Sequence, residues 1–397
     1  MRSAEVPRVA LAVMTVSAGD RGYKRVALVH DFLLDLRGAE RVFLAIAENF
    51  PNADLFSPVY NREGTEGRFE KRGVEVSALN RLRPSSSTFR TLLPFYPRAT
   101  ESLDLRGYDL IISSSSAWAH GVIAEEGQRH LCYCHNPFRY AWDQREEAIR
   151  GRGPLTGRAL ELIFERWRGW DRRVAQEVDR YVANASITRE RVARCFGRSS
   201  AIVFPPVAID RFEPGNPGES LVVLSELMAH KRIDLAVRAC TELGRPLTVI
   251  GDGPDLERLK ALAGGTIEFT GRISDEEVAQ RLAAASGLVQ CATEEFGIAS
   301  VEAQAAGRPV LALAEGGALE TVRPGYTGEL FDSPDLKTVT EAIGRFDPGR
   351  YSPSDCRKQA EQFSPAAFAE AIDEQIVAMS AGPWAPRTRA ALRGRSA

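Results

Sequence analysis

Cysteine and histidine are scarce in this chain, six and five among 397 residues, and neither type is clustered. The cysteines stand at 132, 134, 195, 240, 291 and 356, without the paired spacing that holds zinc. Cys132 and Cys134 lie two apart in a strand-like run, hence on one of its faces. Reduced, buried thiols are expected, and with them a cytoplasmic protein that uses no metal. Long apolar runs are missing as well: none approaches the ~18 residues that a membrane span requires. So is an excess of either charge, since 51 basic and 53 acidic side chains leave a net −2. No global field draws nucleic acid to such a surface, and any anion site must be local. Low-complexity tracts and internal repeats are absent beyond two broadly similar halves.

What remains is ordinary soluble-protein composition, 44% hydrophobic and 26% charged, with length enough for two domains. The opening run "VALAVMTV" has a signal-like look, but the first convincing strand is "RVALVH" from Arg25, so residues 1–23 are read as an extension. β-rich runs then alternate with helical patterns: "RVALVH", a helix over 38–49, "DLIISSS", "HLCYCH" and "RYVANAS". Near residue 210 the composition turns to Pro and Gly, and a second series follows: "LVVLSEL", "PLTVIGDG", "IEFTG", "GLVQCAT" and "RPVLALAEGG". This is the rhythm of α/β domains with doubly wound parallel sheets. The expected division is a first Rossmann-like domain over 24–208 and a second over 209–355. A C-terminal helix over 356–380 would pack back on the first, and a basic tail over 381–397 is expected to be solvated.

The segment "EEFGIASVEAQAAGRPV", residues 294–310, carries the strongest chemical signal. A strand ending near Thr293 turns through Glu294 to Gly297 into a helix starting near Ala299. Backbone N–H groups at a helix start favour phosphate oxygens, and a glycine lets the backbone come close. Carboxylates on either side can accept hydrogen bonds from sugar hydroxyls. In isolation such acids are as readily a solvated turn and a surface helix residue.

Glu294, seven intervening residues and Glu302, followed by "AQAAGRPVLALAEGGALETVRPGYTGELF", resemble the donor site of retaining glycosyltransferases of family 4. "HDFLLDLRGAERV", "SSSSAWAHGV", "CYCHNPFRYAWD", "YVANAS" and "VFPPVAIDRF" follow in the order of that family, and the similarity spans roughly residues 25–375. The resemblance implies the GT-B architecture, two Rossmann-like domains with a C-terminal helix crossing back. It also implies transfer of a hexose, mannose or mannose-like, from a nucleotide diphosphate sugar to a hydroxyl of a glycan, lipid-linked or secondary-metabolite acceptor, without a cofactor. Bacterial GDP-mannose-dependent enzymes are most similar in pattern, so a GDP-linked donor is favoured over ADP- or UDP-linked ones. Matched by position, Glu294 meets the donor sugar and Glu302 the ribose, while Phe296, Gly297 and Ile298 line sugar and diphosphate. Lys231 binds the diphosphate as a point charge. Arg272 passes the base, and Gly251 of "GDGP" shapes the same pocket. In the first half, Gly38 and Ala39 give a close backbone approach and His135 approaches the donor sugar. Arg37, His120, Arg139 and Tyr140 are acceptor-side candidates, with packing as the alternative for His120 and for the aromatic "FRYAWD".

One departure from the family pattern matters most: the family reads "SRL" where this chain reads "SEL" with Glu226. A carboxylate about 4 Å from a phosphate charge is repelled by about 4 kcal/mol at an effective dielectric near 20. Glu226 therefore turns away to pair with Lys231 or Arg232, or another arginine takes the role, or donor binding is altered. The rival to an active transferase is thus a non-catalytic nucleotide-sugar-binding protein. Finally, "GRALELIFERWRGWDRRVAQEVDRY" reads as an Arg-rich amphipathic helix. Its two readings are peripheral contact with an anionic membrane, or a packed helix with Trp167 and Trp170 inward.

Overall fold

A computed structural model describes residues 22–389. The expected extension over 1–23 therefore lies outside the described residues except for its last two, as does the tail beyond 389.

Among the described residues thirteen strands form two sheets. The first holds β1 (Val26–His30), β2 (Asp54–Ser57), β3 (Glu75–Val76), β4 (Leu110–Ser115), β5 (Arg129–Cys134), β6 (Arg180–Ala183) and β7 (Ser200–Ile202), in the order β3-β2-β1-β4-β5-β6-β7. The second holds β8 (Leu221–Leu224), β9 (Leu247–Ile250), β10 (Ile267–Gly271), β11 (Gly287–Gln290), β12 (Val310–Leu313) and β13 (Gly328–Phe331), in the order β10-β9-β8-β11-β12-β13. The ladders are parallel, as in β1–β2, β1–β4, β8–β9 and β11–β12. Helices cover a parallel sheet on both faces, so its strands are apolar on both. In the second sheet Val223, Val249, Val289 and Leu311 enter one buried cluster, while their neighbours Val222, Ile250, Leu288, Val310 and Ala312 enter another. These are the two doubly wound parallel sheets of the α/β class expected from the sequence.

Helix ends follow local chemistry. The helix Gly38–Asn49 begins where expected, its first turn tied by the Glu40 carboxylate accepting the Arg37 N–H at 3.1 Å. Ser274 and Asp335 accept backbone N–H groups of Glu277 and Thr338 at the starts of Asp275–Ala284 and Leu336–Arg345. Gly197 and Gly244 end their helices in the left-handed region.

Each sheet has one place where the strand order reverses: between β1 and β4 in the first, and between β8 and β11 in the second. Loops leaving such a pair diverge and open a crevice at the strand carboxyl ends, where ligands of open α/β sheets bind.

By packing, the chain divides into two compact units. One holds the described residues up to Cys132 with Arg173–Arg180 and those from Ile376 on; the other holds Tyr133–Arg172 with Tyr181–Gln375. The grouping assigns residues 133–172 to the second unit, away from the expected cut at 208/209. The last long helix, Pro365–Ser380, places Phe368 edge-on to Tyr133 of β5, ring centroids 5.6 Å apart.

The described part of the basic tail is anchored by its arginines, although Trp384 and several neighbours are exposed. Arg387 donates to the Gln128 carbonyl at 2.7 Å and the Asp179 carboxylate at 2.5 Å. Arg389 is buried and donates to Glu177 at 3.0 Å and to the Gly121 carbonyl at 2.8 Å. Arg129 lies under the Trp384 ring, 3.6 Å from its centroid. Buried carboxylates select the arginines, which composition alone does not show.

Candidate active site

The crevice of the second sheet supplies the site. Lys231 follows β8 and Glu294 follows β11, so neighbouring strands deliver them to one place. The Lys231 ammonium donates to both Glu294 carboxylate oxygens, at 2.7 and 2.6 Å, with each side chain 21% exposed. An ion pair that is still open to water on one side can be re-partnered by an entering ligand.

Three glycine contacts explain the shape of the surrounding loops. A Cβ on Gly251, where φ is +137°, would stand 1.9 Å from the Ser225 carbonyl oxygen, so the "GDGP" turn nests against the loop leaving β8. On Gly317 it would stand 2.1 Å from the Phe296 carbonyl oxygen, and Gly317 N–H donates to the Glu294 carbonyl at 2.9 Å. Gly297, at φ +86°, precedes the helix Ile298–Ala305, a conformation natural to glycine. Beneath the loop Phe296 is buried against Phe204 and Phe363, centroids 5.6 and 5.2 Å away. The strand before it ends at Gln290 rather than near Thr293, because the chain turns at once to reach the Gly316–Gly317 turn.

The neighbouring Glu295, unassigned from the sequence, is held by Arg139 and Arg191, each at 3.1 Å. Burial acts to raise its pKa, but Arg139, then Arg191 and Lys231, outweigh it and hold the carboxyl below the usual range. Arg191 also reaches Asn136 Oδ1 at 3.2 Å and Asp143 at 3.0 Å. Arg139, an acceptor-side candidate, is therefore committed to the Glu294–Glu295 loop. Nothing in "ITRERVARC" marks Arg191 for this role; Glu295, doubling the acid of the motif, was the available signal.

The remaining candidates are placed as follows. Glu302 lies half-buried within Ile298–Ala305, and Arg272 is exposed just after β10, whose Gly271 carbonyl accepts the Gly251 N–H at 3.0 Å. Of the partners offered for Glu226, Lys231 is taken by Glu294, and Arg232 faces Asp234 at 3.6 Å. Glu226 itself is exposed, so the expected repulsion at a phosphate has solvent in which to be relieved. His135 directly follows β5 and is half-buried, edge-on to Tyr133 at 5.2 Å, with its carbonyl accepting from Thr188 Oγ1 at 3.2 Å. Tyr140 packs edge-on to Phe138 at 5.6 Å. Arg37, Gly38, Ala39 and His120 belong to the other compact unit. His120 is 2% exposed. There the crevice holds Asp31, which the sequence reading passed over although it directly follows β1. Its buried carboxylate accepts the N–H groups of Ser116, Ala117, Trp118 and Ala119. It is a structural anchor for the loop after β4. Trp167 and Trp170 point inward, each 7% exposed, and all six cysteines are buried and outside any disulfide.

Residues 36–211 match Glycosyltransferase Family 4, and residues 208–363 match Glycosyl transferases group 1. A GDP-mannose-dependent alpha-(1-6)-phosphatidylinositol monomannoside mannosyltransferase of Mycolicibacterium smegmatis is 35% identical over 206 residues, covering 44% of this chain and 54% of that protein. A D-inositol 3-phosphate glycosyltransferase of Streptomyces scabiei is 29% identical over 209 residues, covering 44% of this chain and 47% of that protein. The chain thus spans about half the length of the curated relatives it matches. Among solved structures, sucrose-phosphate synthase of Thermosynechococcus elongatus superposes with a TM-score of 0.67 at 18% identity, over 90% of this chain and 99% of that one. The Anabaena HepE protein, in complex with UDP, superposes with a TM-score of 0.62 at 16% identity, over 89% of this chain and 100% of that one. At such identities these two speak for the fold. The two family matches, meeting near residue 210 and running together from 36 to 363, place the chain in the glycosyltransferase family, with the GT-B fold.

Proposed function

We propose that the chain is a retaining hexosyltransferase, moving mannose or a mannose-like sugar from a GDP-linked donor to a hydroxyl acceptor. The observation that carries this reading is the Lys231–Glu294 pair, presented at the strand-order reversal beside the start of Ile298–Ala305. A donor diphosphate takes over the Lys231 ammonium, and the released Glu294 carboxylate accepts from the sugar hydroxyls. Gly297 and the N–H groups beyond it complete the phosphate cradle, and Glu302 takes the ribose. Because the leaving diphosphate itself accepts the acceptor proton in front-face transfer, no second carboxylate is required and the protein's main task is to stabilise the departing charge. ADP- and UDP-linked donors are the alternatives. His135 beside the sugar, a domain division near 208/209, metal-independent transfer and a cytoplasmic location belong to the same proposal.

Among the described residues no helix is long and apolar enough to cross a membrane. For a lipid-linked acceptor the helix Pro154–Ala175 is the proposed contact: Leu155 and Leu162 are 87% and 65% exposed, with Arg158 and Arg166 on the same outward side.

The test is calorimetric titration with GDP, ADP, UDP and their hexose conjugates, paired with release of nucleotide diphosphate in an acceptor screen. Lys231→Ala is expected to weaken the preferred donor by about 100-fold, about 3 kcal/mol for a charge-assisted contact. Binding that is tight yet never followed by turnover would favour the non-catalytic alternative raised by Glu226. Absence of nucleotide binding, restored by Glu226→Arg, would sink the active reading.

A further inference from the structure

The neighbouring ends of β5 and β6 carry buried polar atoms that the fold leaves unused. Asn136 and Asn184 are 4% and 7% exposed, and Asn136 Nδ2 and Asn184 Oδ1 lack partners. The Asn184 N–H donates to the Cys134 carbonyl at 3.3 Å, which sets the two turns side by side. Two residues on, the Ser186 N–H donates to Glu320 Oε1 at 2.8 Å, while Glu320 Oε2 is buried without a partner. One donor and two acceptors therefore stand unpaired around the exits of adjacent parallel strands, the edge at which such sheets bind ligands.

The orientation of the Asn136 amide is fixed by its neighbour. Arg191 Nη1 donates to Asn136 Oδ1 at 3.2 Å and to Glu295 Oε1 at 3.1 Å. A flipped amide would set an NH2 against a guanidinium, donor against donor, so Nδ2 is the end left over. The same guanidinium links Asn136 to the loop bearing Glu294. Unpaired buried polar groups are costly, and a native fold retains them where something else pairs with them.

We propose that Asn136, Asn184 and Glu320 form a recognition subsite for a neutral polyhydroxylated ring. The chemistry selects among ligand classes. A phosphate brings acceptors only, and the Glu320 carboxylate and Asn184 carbonyl repel it. A hydroxyl gives and accepts, so vicinal hydroxyls satisfy an amide donor and two oxygen acceptors together. The ring is either the hexose of the donor or a sugar or cyclic polyol on the acceptor. The inference deepens the proposed function and rests on it for the identity of the ring.

The experiment compares the full chain with Asn136→Ser, Asn184→Ser and Glu320→Gln, each first checked for an unchanged thermal midpoint and circular dichroism spectrum. GDP and GDP-mannose are titrated in one arm; free mannose and myo-inositol are followed by saturation-transfer NMR in the other. If the ring is the donor hexose, GDP-mannose weakens about tenfold per lost hydrogen bond while GDP is unchanged. If it belongs to the acceptor, GDP-mannose is unchanged and the free polyol signal is lost. Folded variants that match the wild type in both arms overturn the subsite, leaving ordered water as the partner of these atoms. A wild type that binds neither GDP nor GDP-mannose overturns the proposed function, and the polyol arm still decides the subsite.

Discussion

At the scale of single residues, two changes isolate what builds the loop that bears Glu294 and Glu295. Gly317 has an ordinary negative φ, so Gly317→Ala tests steric room alone: its Cβ would stand 2.1 Å from the Phe296 carbonyl oxygen. The loop must move, at about 3 kcal/mol for an overpacked contact of this kind. Thermal denaturation should show that loss together with a fall in nucleotide-sugar affinity, since Glu294 moves with the loop. Glu295 gives a pH test. Its carboxyl titrates below the usual range in the fold, so its contribution is complete above the ordinary glutamate pKa and disappears as pH falls through the folded value. Glu295→Gln should therefore be less stable than wild type near neutrality, begin to converge with it once pH falls below about 4, where an unperturbed Glu protonates, and match it only below the lower folded value. Parallel melting curves across pH 3–7 would instead mean that the Arg139 and Arg191 contacts contribute nothing. Lys231, Glu294 and Gly297 were legible in the sequence because each lies in a local pattern with its own chemistry. Arg191 was not, because its partner Glu295 is 104 residues away and neither flank of the arginine is distinctive.

At the scale of elements, alternating apolar runs were enough to recover most strands, since a strand buried on both faces must be apolar throughout. The short strands β2, β3, β7 and β13 escaped because two to four residues carry too little period; β3 is exposed and β7 half-buried. Amphipathic helices are harder to interpret than to find. For Pro154–Ala175 the inward face is now fixed: Trp167 and Trp170 are buried, and Asp171 accepts the Trp142 indole N–H at 2.7 Å. Its outward Leu155 and Leu162 among arginines are what the membrane reading needs. Leu155→Ser with Leu162→Ser should cut co-sedimentation with vesicles of anionic phospholipid several-fold, with little effect on the thermal midpoint because neither side chain is packed. Equal sedimentation of variant and wild type would remove this helix from any membrane contact.

At the scale of the whole chain, the C-terminal segment is where composition misleads most. Arginines and small residues read as a solvated tail, yet Arg387 and Arg389 are 9% exposed and meet carboxylates of Asp179 and Glu177 that are 0% and 2% exposed. Their partners lie more than 200 residues earlier, so no local window could show them. The pairs differ in what their loss would leave. Asp179 keeps Arg129, 3.5 Å away, but the Glu177 carboxylate relies for charge on Arg389, with Thr388 Oγ1 and the Arg389 N–H as its other donors. Arg389→Ala should thus cost about 3–5 kcal/mol, the range for breaking a buried pair from one side. Arg387→Ala should cost clearly less. Removing the stranded charge as well separates electrostatics from packing: in Arg389→Ala/Glu177→Gln, Thr388 and the backbone can still satisfy the amide, so much of the loss should return. If the double variant is instead as unstable as the single, the guanidinium acts mainly through the Gly121 and Val122 carbonyls, which it bonds at 2.8 and 3.1 Å. The C-terminal segment would then work as a brace for the turn after β4, whose preceding N–H groups Asp31 collects.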